Sequence, residues 1–186
     1  MRGIRWFALG VSALALAACG QKTETTNTNL TTDTVVSNDV STPAAAPGQA
    51  FANTAAASDA FEIATSELAA NQAQSATIKK FAAQMITAHT DSTAKLKAAA
   101  STVSPALVPD PTLTAEQQQT LDSLKALKGA DFDKAYASAQ VDAHQKALDG
   151  LKTYSASGDV PQLKDFATKL VPTVTAHLNM AKSLKP

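Results

Sequence analysis

Apolar and small residues recur at steps of three and four from about residue 54 to the end of the chain. This spacing places them on one face of an α-helix, and the same stretch lacks the alternation that is typical of a β-strand. We therefore predict an all-α domain over residues 53–186. The predicted helices cover about residues 58–71, 75–101, 114–129, 131–156 and 159–184.

Local signals mark the ends of several of these helices. Ser75 is placed as an N-cap, and Thr114 to Gln117 form a capping box at the start of the short third helix. Gly158 ends the fourth helix, and Pro161 lies in the first turn of the fifth. The four long helices thus form two tight hairpins joined by about 29 residues, a link long enough to cross a bundle. We predict a ferritin-like four-helix bundle with a short crossover helix.

The segment before the domain, residues 19–52, is rich in Thr, Asn, Ser, Ala and Pro. Its few large apolar residues are too sparse to bury a core, so we expect a disordered linker. The large apolar residues of this segment are Leu30, Val35, Val36 and Val40.

The extreme N-terminus has the layout of a secretory signal. Arg2 and Arg5 precede an apolar stretch of 13 residues, Trp6 to Ala18. A membrane-spanning helix needs about 20 apolar residues, so this stretch is too short to be a permanent anchor. We predict a signal peptide over residues 1–18.

The residues Leu16-Ala17-Ala18-Cys19 resemble the lipobox of bacterial lipoproteins, which predicts that Cys19 is acylated, for example with palmitate, and becomes the mature N-terminus. Multiple acyl chains would hold the domain at a membrane surface without spanning it. Gly20 and Gln21 lack the aspartate of an inner-membrane retention signal, which favours the outer membrane, facing the periplasm. The alternative is an ordinary signal peptide with an incidental cysteine.

Charge and cysteine content exclude several functions. Without Arg2 and Arg5 the chain has 14 basic and 16 acidic residues and no basic run, so binding to nucleic acid is not expected. Cys19 is the only cysteine, and its lipidation would leave no thiol for a disulfide, a nucleophile or a metal ligand. The sequence does not identify a protein partner.

Several short motifs on the predicted helices resemble the bacterial domain-of-unknown-function family 4142, over about residues 61–184. The resemblance implies a ferritin-like fold and an exported or lipid-anchored protein, but no activity. Ala88 stands where the family usually has an acidic residue, so an acidic partner for His89 is not implied. The motifs are Glu62-Ile63, Leu68-Ala69, Ile78 to Ala82, Met85, His89-Thr90, Phe132-Asp133, Tyr136, Gln140-Val141, His144, Phe166-Ala167, Leu170 to Pro172 and His177-Leu178.

The three histidines of the chain, His89, His144 and His177, each fall on the inward face of a different long helix. Since about three positions in seven face inward, this has a chance of about one in thirteen. With Glu62 they could hold a single tetrahedral zinc ion or a copper ion.

A di-iron site is disfavoured by the residues near these histidines, which leaves a ferritin-like oxidase with a degraded site as a third hypothesis. Such a site needs a glutamate three residues before the histidine on two helices. Those positions hold Ile86, Val141 and Val174.

Counting residues from the hairpin turns at 1.5 Å each places Glu62, His89 and His144 at one height along the bundle axis. The same count places His177 about 9 Å from His144 in height, close to the level of Tyr136. The alternative to a metal site is therefore a polar core in which His177 is hydrogen-bonded to Tyr136, and His89 and His144 are hydrogen-bonded to polar neighbours. Asp133 and Tyr136 could form a polar site of their own. Alternatively they serve as a charge near the helix dipole and an aromatic residue at the edge of the core.

The chain shows no catalytic arrangement of residues. No serine is placed beside a histidine by spacing, and no glycine-rich phosphate loop occurs. The leading hypothesis is a non-enzymatic cell-envelope lipoprotein, a helical module of unknown ligand with a role at the surface or under stress. The alternative is a protein that binds zinc or copper through its histidines.

Overall fold

The structure, a computed structural model, describes residues 46–185. The predicted signal peptide, Cys19 and residues 20–45 of the predicted linker lie outside this range. The described residues form five helices and no strand, which confirms the predicted all-α class. The helices are α1 (Pro47–Gln72), α2 (Ala76–Ser101), α3 (Ala115–Lys125), α4 (Gly129–Ser157) and α5 (Pro161–Ser183).

Helix α1 begins eleven residues before the predicted start at residue 58, inside the predicted linker of residues 19–52. Pro47 is placed in its first turn, where a missing N–H has no consequence. The ring of Phe51 stacks on that of Tyr154, with centroids 3.8 Å apart, and Ala52 and Ala56 are buried. The prediction was wrong here because alanines give a weak periodic signal although they allow close helix packing.

The four long helices form two hairpins that pack side by side. Helix α1 packs along α2 and α4 along α5, while α1 also contacts α4 and α2 contacts α5. The order around the bundle is therefore α1, α2, α5, α4. The short helix α3 packs against α1 and α4.

The link between the hairpins follows α1 over its length. The Gln49 side chain donates to the carbonyl of Val108 (2.7 Å) near the start of α1. At the other end, Gln72 donates to the carbonyl of Leu124 (3.1 Å), which lies at the end of α3. The connection therefore crosses the bundle from one end to the other, which confirms the predicted ferritin-like fold with a crossover helix.

The turn between α1 and α2 is held by a side chain from α4. Ser75 is the N-cap residue of α2, as predicted, but its side chain makes no capping hydrogen bond. Instead, the two carboxylate oxygens of Asp133 accept from the backbone N–H groups of Gln74 (3.1 Å) and Ser75 (2.8 Å). Gly129 begins α4 beside this turn with φ 62°, a conformation that favours glycine.

Two apolar cores lie at the two ends of the bundle, with a layer of buried polar residues between them. One core is centred on Phe166, Leu148 and Tyr154, the other on Phe81, Phe132 and Tyr136. None of the helices in residues 46–185 is long and apolar enough to cross a membrane. The buried polar and charged residues between the two cores are Asp59, Glu62, Thr65, Ser66, His89, Ser92, Gln140, His144 and His177.

Candidate metal site

The polar layer takes side chains from all four long helices. Asp59 and Glu62 lie on α1, His89 on α2, His144 on α4 and His177 on α5. Each lies on the same face as the apolar core residues of its helix. On α2, for example, Met85, His89, Ser92 and Leu96 follow one another at steps of three and four and are all buried.

The three histidine rings meet at the centre of this layer. Their centroids are 5.5 Å apart for His89 and His144, 5.6 Å for His144 and His177, and 5.9 Å for His89 and His177. One nitrogen of each ring lies within 4.8 Å of a nitrogen of each of the other two. The structure thus brings together the three predicted histidines.

One nitrogen is already engaged in two of these rings. Nδ1 of His89 donates to Oδ1 of Asp59 (2.8 Å), and Nδ1 of His144 donates to the backbone carbonyl of Gln140 (2.9 Å). Nε2 of His89, Nε2 of His144 and Nδ1 of His177 are buried and have no hydrogen-bond partner. Because their Nδ1 atoms carry the proton, the Nε2 atoms of His89 and His144 have a free lone pair when the rings are neutral.

The electrostatics keep two of the rings uncharged. Burial, together with the charge on His89, lowers the pKa of both His144 and His177 to about 4. Burial also acts to lower the pKa of His89, but its hydrogen bond to Asp59 and the nearby charge of Glu62 outweigh this and raise it. At neutral pH, His144 and His177 therefore present unprotonated nitrogens, the form that binds metal.

His177 lies much closer to the other histidines than residue counting predicts. His144 is thirteen residues before the end of α4 and His177 sixteen after the start of α5, a difference of only about 4.5 Å along the axis. Side chains tilt toward the N-terminus of their helix, and the two helices are antiparallel. The two rings therefore tilt toward each other, and the predicted separation of about 9 Å was wrong.

Glu62 lies beside the histidines and is not part of their cluster. Its Oε1 is 3.6 Å from Nδ1 of His144, the nitrogen opposite the free one, and both carboxylate oxygens are buried without a hydrogen-bond partner. Burial raises the pKa of Glu62 to about 7. The structure therefore places the predicted carboxylate ligand behind the ring of His144.

Asp133 and Tyr136 do not form a joint polar site. Asp133 holds the turn between α1 and α2, and the hydroxyl of Tyr136 lies 2.8 Å from that of Ser66. Tyr136 is thus paired with Ser66, while Nδ1 of His177 has no partner. The alternative in which Tyr136 satisfies His177 is therefore wrong.

The sequence reasoning did not predict the two contacts that hold the rings of His89 and His144. Asp59 supplies from α1 the acidic partner that Ala88 does not supply on α2, and the Gln140 carbonyl holds His144. A signal for Asp59 existed, because Asp59 and Glu62 are three residues apart and so share a helix face. The predicted start of α1 at residue 58 left Asp59 at a helix end, where an acidic residue is unremarkable.

Comparison with known proteins identifies the family. The sequence profile of a domain of unknown function, DUF4142, matches residues 35–184. The chain belongs to this family. The matched range of this DUF4142 protein contains the three histidines and Asp59. The resemblance read from the sequence motifs is thus confirmed.

A solved structure shares the fold of this DUF4142 protein. It is described as "CopM in the Cu(II)-bound form", and it aligns with a TM-score of 0.61 over 73% of this chain and 93% of the other at 17% identity. At this identity the likeness establishes the helical fold alone. No curated protein matches the chain.

Proposed function

We propose that this protein is a non-enzymatic metal-binding module of the cell envelope, which holds one copper ion through His89, His144 and His177. The observation that carries the proposal is the cluster of three buried histidines, each of which offers a nitrogen within 4.8 Å of the other two. Each ring also has one buried nitrogen without a hydrogen-bond partner.

Buried polar atoms without partners are rare, because each costs about 1–3 kcal/mol of desolvation. Six such atoms lie in this layer, and a single ion would satisfy the three that belong to the histidine rings. In a tetrahedral site with bonds of 2.0–2.1 Å, ligand nitrogens are about 3.3 Å apart. The histidine nitrogens here lie within 4.8 Å of one another, so each pair has to approach by up to about 1.5 Å when an ion binds.

The hydrogen bonds behind the rings support the same function. Histidines that bind metals commonly donate their other N–H to a carboxylate or a backbone carbonyl, which fixes the tautomer and the ring orientation. His89 makes the first kind of bond, to Asp59, and His144 makes the second, to Gln140. Both rings are therefore held with Nε2 free.

The choice of copper rests on ligand chemistry and on the fold neighbour. Imidazole suits zinc, copper and nickel, and divalent copper binds a given nitrogen site more tightly than the others. CopM, the copper-bound protein with the same fold, adds support for copper.

The cellular location is also part of this proposal. The signal peptide pattern of residues 1–18 and the lipobox ending at Cys19 support a lipid-anchored protein of the cell envelope, on the outer membrane facing the periplasm. A periplasmic copper site would depend on histidine ligands here, because lipidation would consume the only thiol.

Metal titration tests the proposal. The experiment uses the chain from residue 20 onward, because the described residues 46–185 belong to one compact unit. After treatment with a chelator, we expect one copper ion per chain, nitrogen hyperfine structure in the Cu(II) electron paramagnetic resonance spectrum and a higher melting temperature. His144→Ala and His177→Ala should each lower the copper affinity at least about 100-fold, since each removes a ligand.

The matched control is Ser92→Ala, which alters a buried polar residue of the same layer one turn beyond His89 without removing a nitrogen. Its copper affinity should stay within about threefold of the parent. Copper binding with equal affinity in the parent and both histidine variants would contradict the proposal, as would the absence of any copper retained on a desalting column.

A further inference from the structure

A cavity of about 660 Å³ opens to solvent beside the layer of the bundle that holds the histidines, and Glu116, Lys146 and Gly150 on its wall are exposed. Residues of all five helices line it, and His89 and His177 form part of its wall. Pockets that hold small organic molecules have volumes of about 300–1,000 Å³. This cavity therefore has the size of a ligand site, and the metal site occupies only one part of its wall.

Small side chains on α4 create the space. Ala139, Ala143, Ala147 and Gly150 line the cavity and follow one another at steps of four, four and three, so they share one face of the helix. Aromatic rings from α1 and α5 line it as well, from Phe51, Phe61 and Phe166. The wall formed by α4 is therefore recessed, and the walls formed by α1 and α5 present flat apolar rings.

Gly150 is unusual on this wall because it is a glycine in the interior of a helix. It lies inside α4, where glycine costs about 1 kcal/mol relative to alanine. A Cβ atom at this position would meet no atom within 4 Å, so no close packing requires glycine here. Gly150 also adopts no positive φ angle. The physical effect of the missing side chain is to leave this part of the cavity open.

The charges along the lining argue against an anionic ligand. The lining contains three carboxylates, Asp59, Glu116 and Asp142, and one lysine, Lys146. Nζ of Lys146 lies 2.5 Å from Oε1 of Glu116, and Asp59 is bonded to His89. The lysine thus already has an acidic partner, and the wall offers an anion no unpaired positive group.

We propose that this cavity binds a small uncharged aromatic molecule, which packs against Phe51, Phe61 and Phe166 and extends toward His89 and His177. The apolar body of the ligand is matched by the phenylalanine rings, and hydroxyl groups on the lining, such as those of Ser58 and Ser92, can bond to one polar substituent. This site needs no bound metal, since its walls are formed by the protein alone.

The test uses a matched pair of fluorescent probes on the metal-free chain from residue 20 onward. N-phenyl-1-naphthylamine is uncharged, and 8-anilinonaphthalene-1-sulfonate has nearly the same skeleton with a negative charge. We expect saturable binding of one equivalent of the uncharged probe and an affinity at least tenfold lower for the sulfonate. Equal affinities for the two probes would overturn the assignment to uncharged ligands.

Two substitutions at one position locate the bound probe. Gly150→Phe places a ring in the open space and should lower the affinity for the uncharged probe at least tenfold. Gly150→Ala adds only a methyl group and should bind within about threefold of the parent. Both variants should melt at or above the temperature of the parent, because each removes a helix-interior glycine. Unchanged affinity in Gly150→Phe, or no saturable binding by the parent, would overturn the proposal.

Discussion

Oδ1 of Asp59 on α1 lies 2.8 Å from Nδ1 of His89 on α2, and both side chains are more than 90% buried. The carboxylate therefore fixes which nitrogen of the neutral His89 ring carries the proton and leaves Nε2 without a hydrogen-bond partner. This hydrogen bond joins α1 and α2 at the level of the candidate metal site. The packing of α1 against α2 therefore determines which nitrogen of His89 carries the proton.

Asp59→Asn should weaken copper binding by about 10- to 100-fold while leaving one site per chain, because the amide makes His89 a less basic ligand and no longer fixes its orientation. A competition titration against a chelator of known affinity measures this. Asp91→Asn, an exposed residue two positions from His89, is the control and should bind like the parent. Equal affinities for both variants would show that Asp59 does not support a metal ligand.

Glu62→Gln should change the pH dependence of stability in the metal-free protein. Burial raises the pKa of Glu62 from 4.5 to about 7, so between these values the native state keeps a proton that the unfolded chain loses. This contribution is fully present below about pH 4.5 and is lost as the pH rises through about 7. The parent should therefore lose on the order of 1–3 kcal/mol relative to the variant over this window.

Urea denaturation of the parent and of Glu62→Gln at pH 4.5, 6 and 8 gives the difference directly. The pH dependence of His144 and His177 is common to both proteins. That of His89 differs, because the charge of Glu62 helps to raise the pKa of His89 in the parent. Parallel stability profiles from pH 4.5 to 8 would mean that the pKa of Glu62 is not raised.

The buried hydroxyl pair of Tyr136 and Ser66 should show energetic coupling. Tyr136→Phe leaves the hydroxyl of Ser66 without its partner and should cost about 1–2 kcal/mol. Combining it with Ser66→Ala removes both hydroxyls, so the double variant should be more stable than the sum of the single losses indicates. Additive losses, measured by urea denaturation, would show that the two hydroxyls do not interact.

Phe81→Ala and Phe166→Ala test the two apolar cores separately. The rings are 3% and 6% exposed, and each truncation should cost about 3–5 kcal/mol of unfolding free energy. Val108→Ala, at a side chain that is 77% exposed, is the control and should change stability by less than about 0.5 kcal/mol. A loss below about 1 kcal/mol for both phenylalanines would contradict their placement in the cores.

The proposed lipid anchor is tested at Cys19. The parent should be recovered with membranes and should have an intact mass that includes acyl groups on a chain beginning at Cys19. Cys19→Ser should be released from the membrane or remain unprocessed. An unmodified mature chain that begins elsewhere would rule out the anchor.

The sequence alone determined the helical class, the two hairpins and the inward placement of His89, His144 and His177. These features depend on local spacing: apolar residues at steps of three and four define one face of a helix, and capping residues mark its ends. The crossover also followed from local information, because the length of the link between the hairpins suffices to cross the bundle. The early start of α1 was missed, since residues 50–57 consist largely of alanine.

Only the tertiary structure decided which side chains meet. The pairing of Asp59 with His89 joins residues thirty positions apart on antiparallel helices, and no local pattern encodes which carboxylate faces which ring. The distance of His177 from His144 depends on the opposite tilt of side chains on α4 and α5, which a count along each axis omits. The position of Glu62 behind His144 depends on how α1 is rotated against α4, and that rotation is set by packing across the whole bundle.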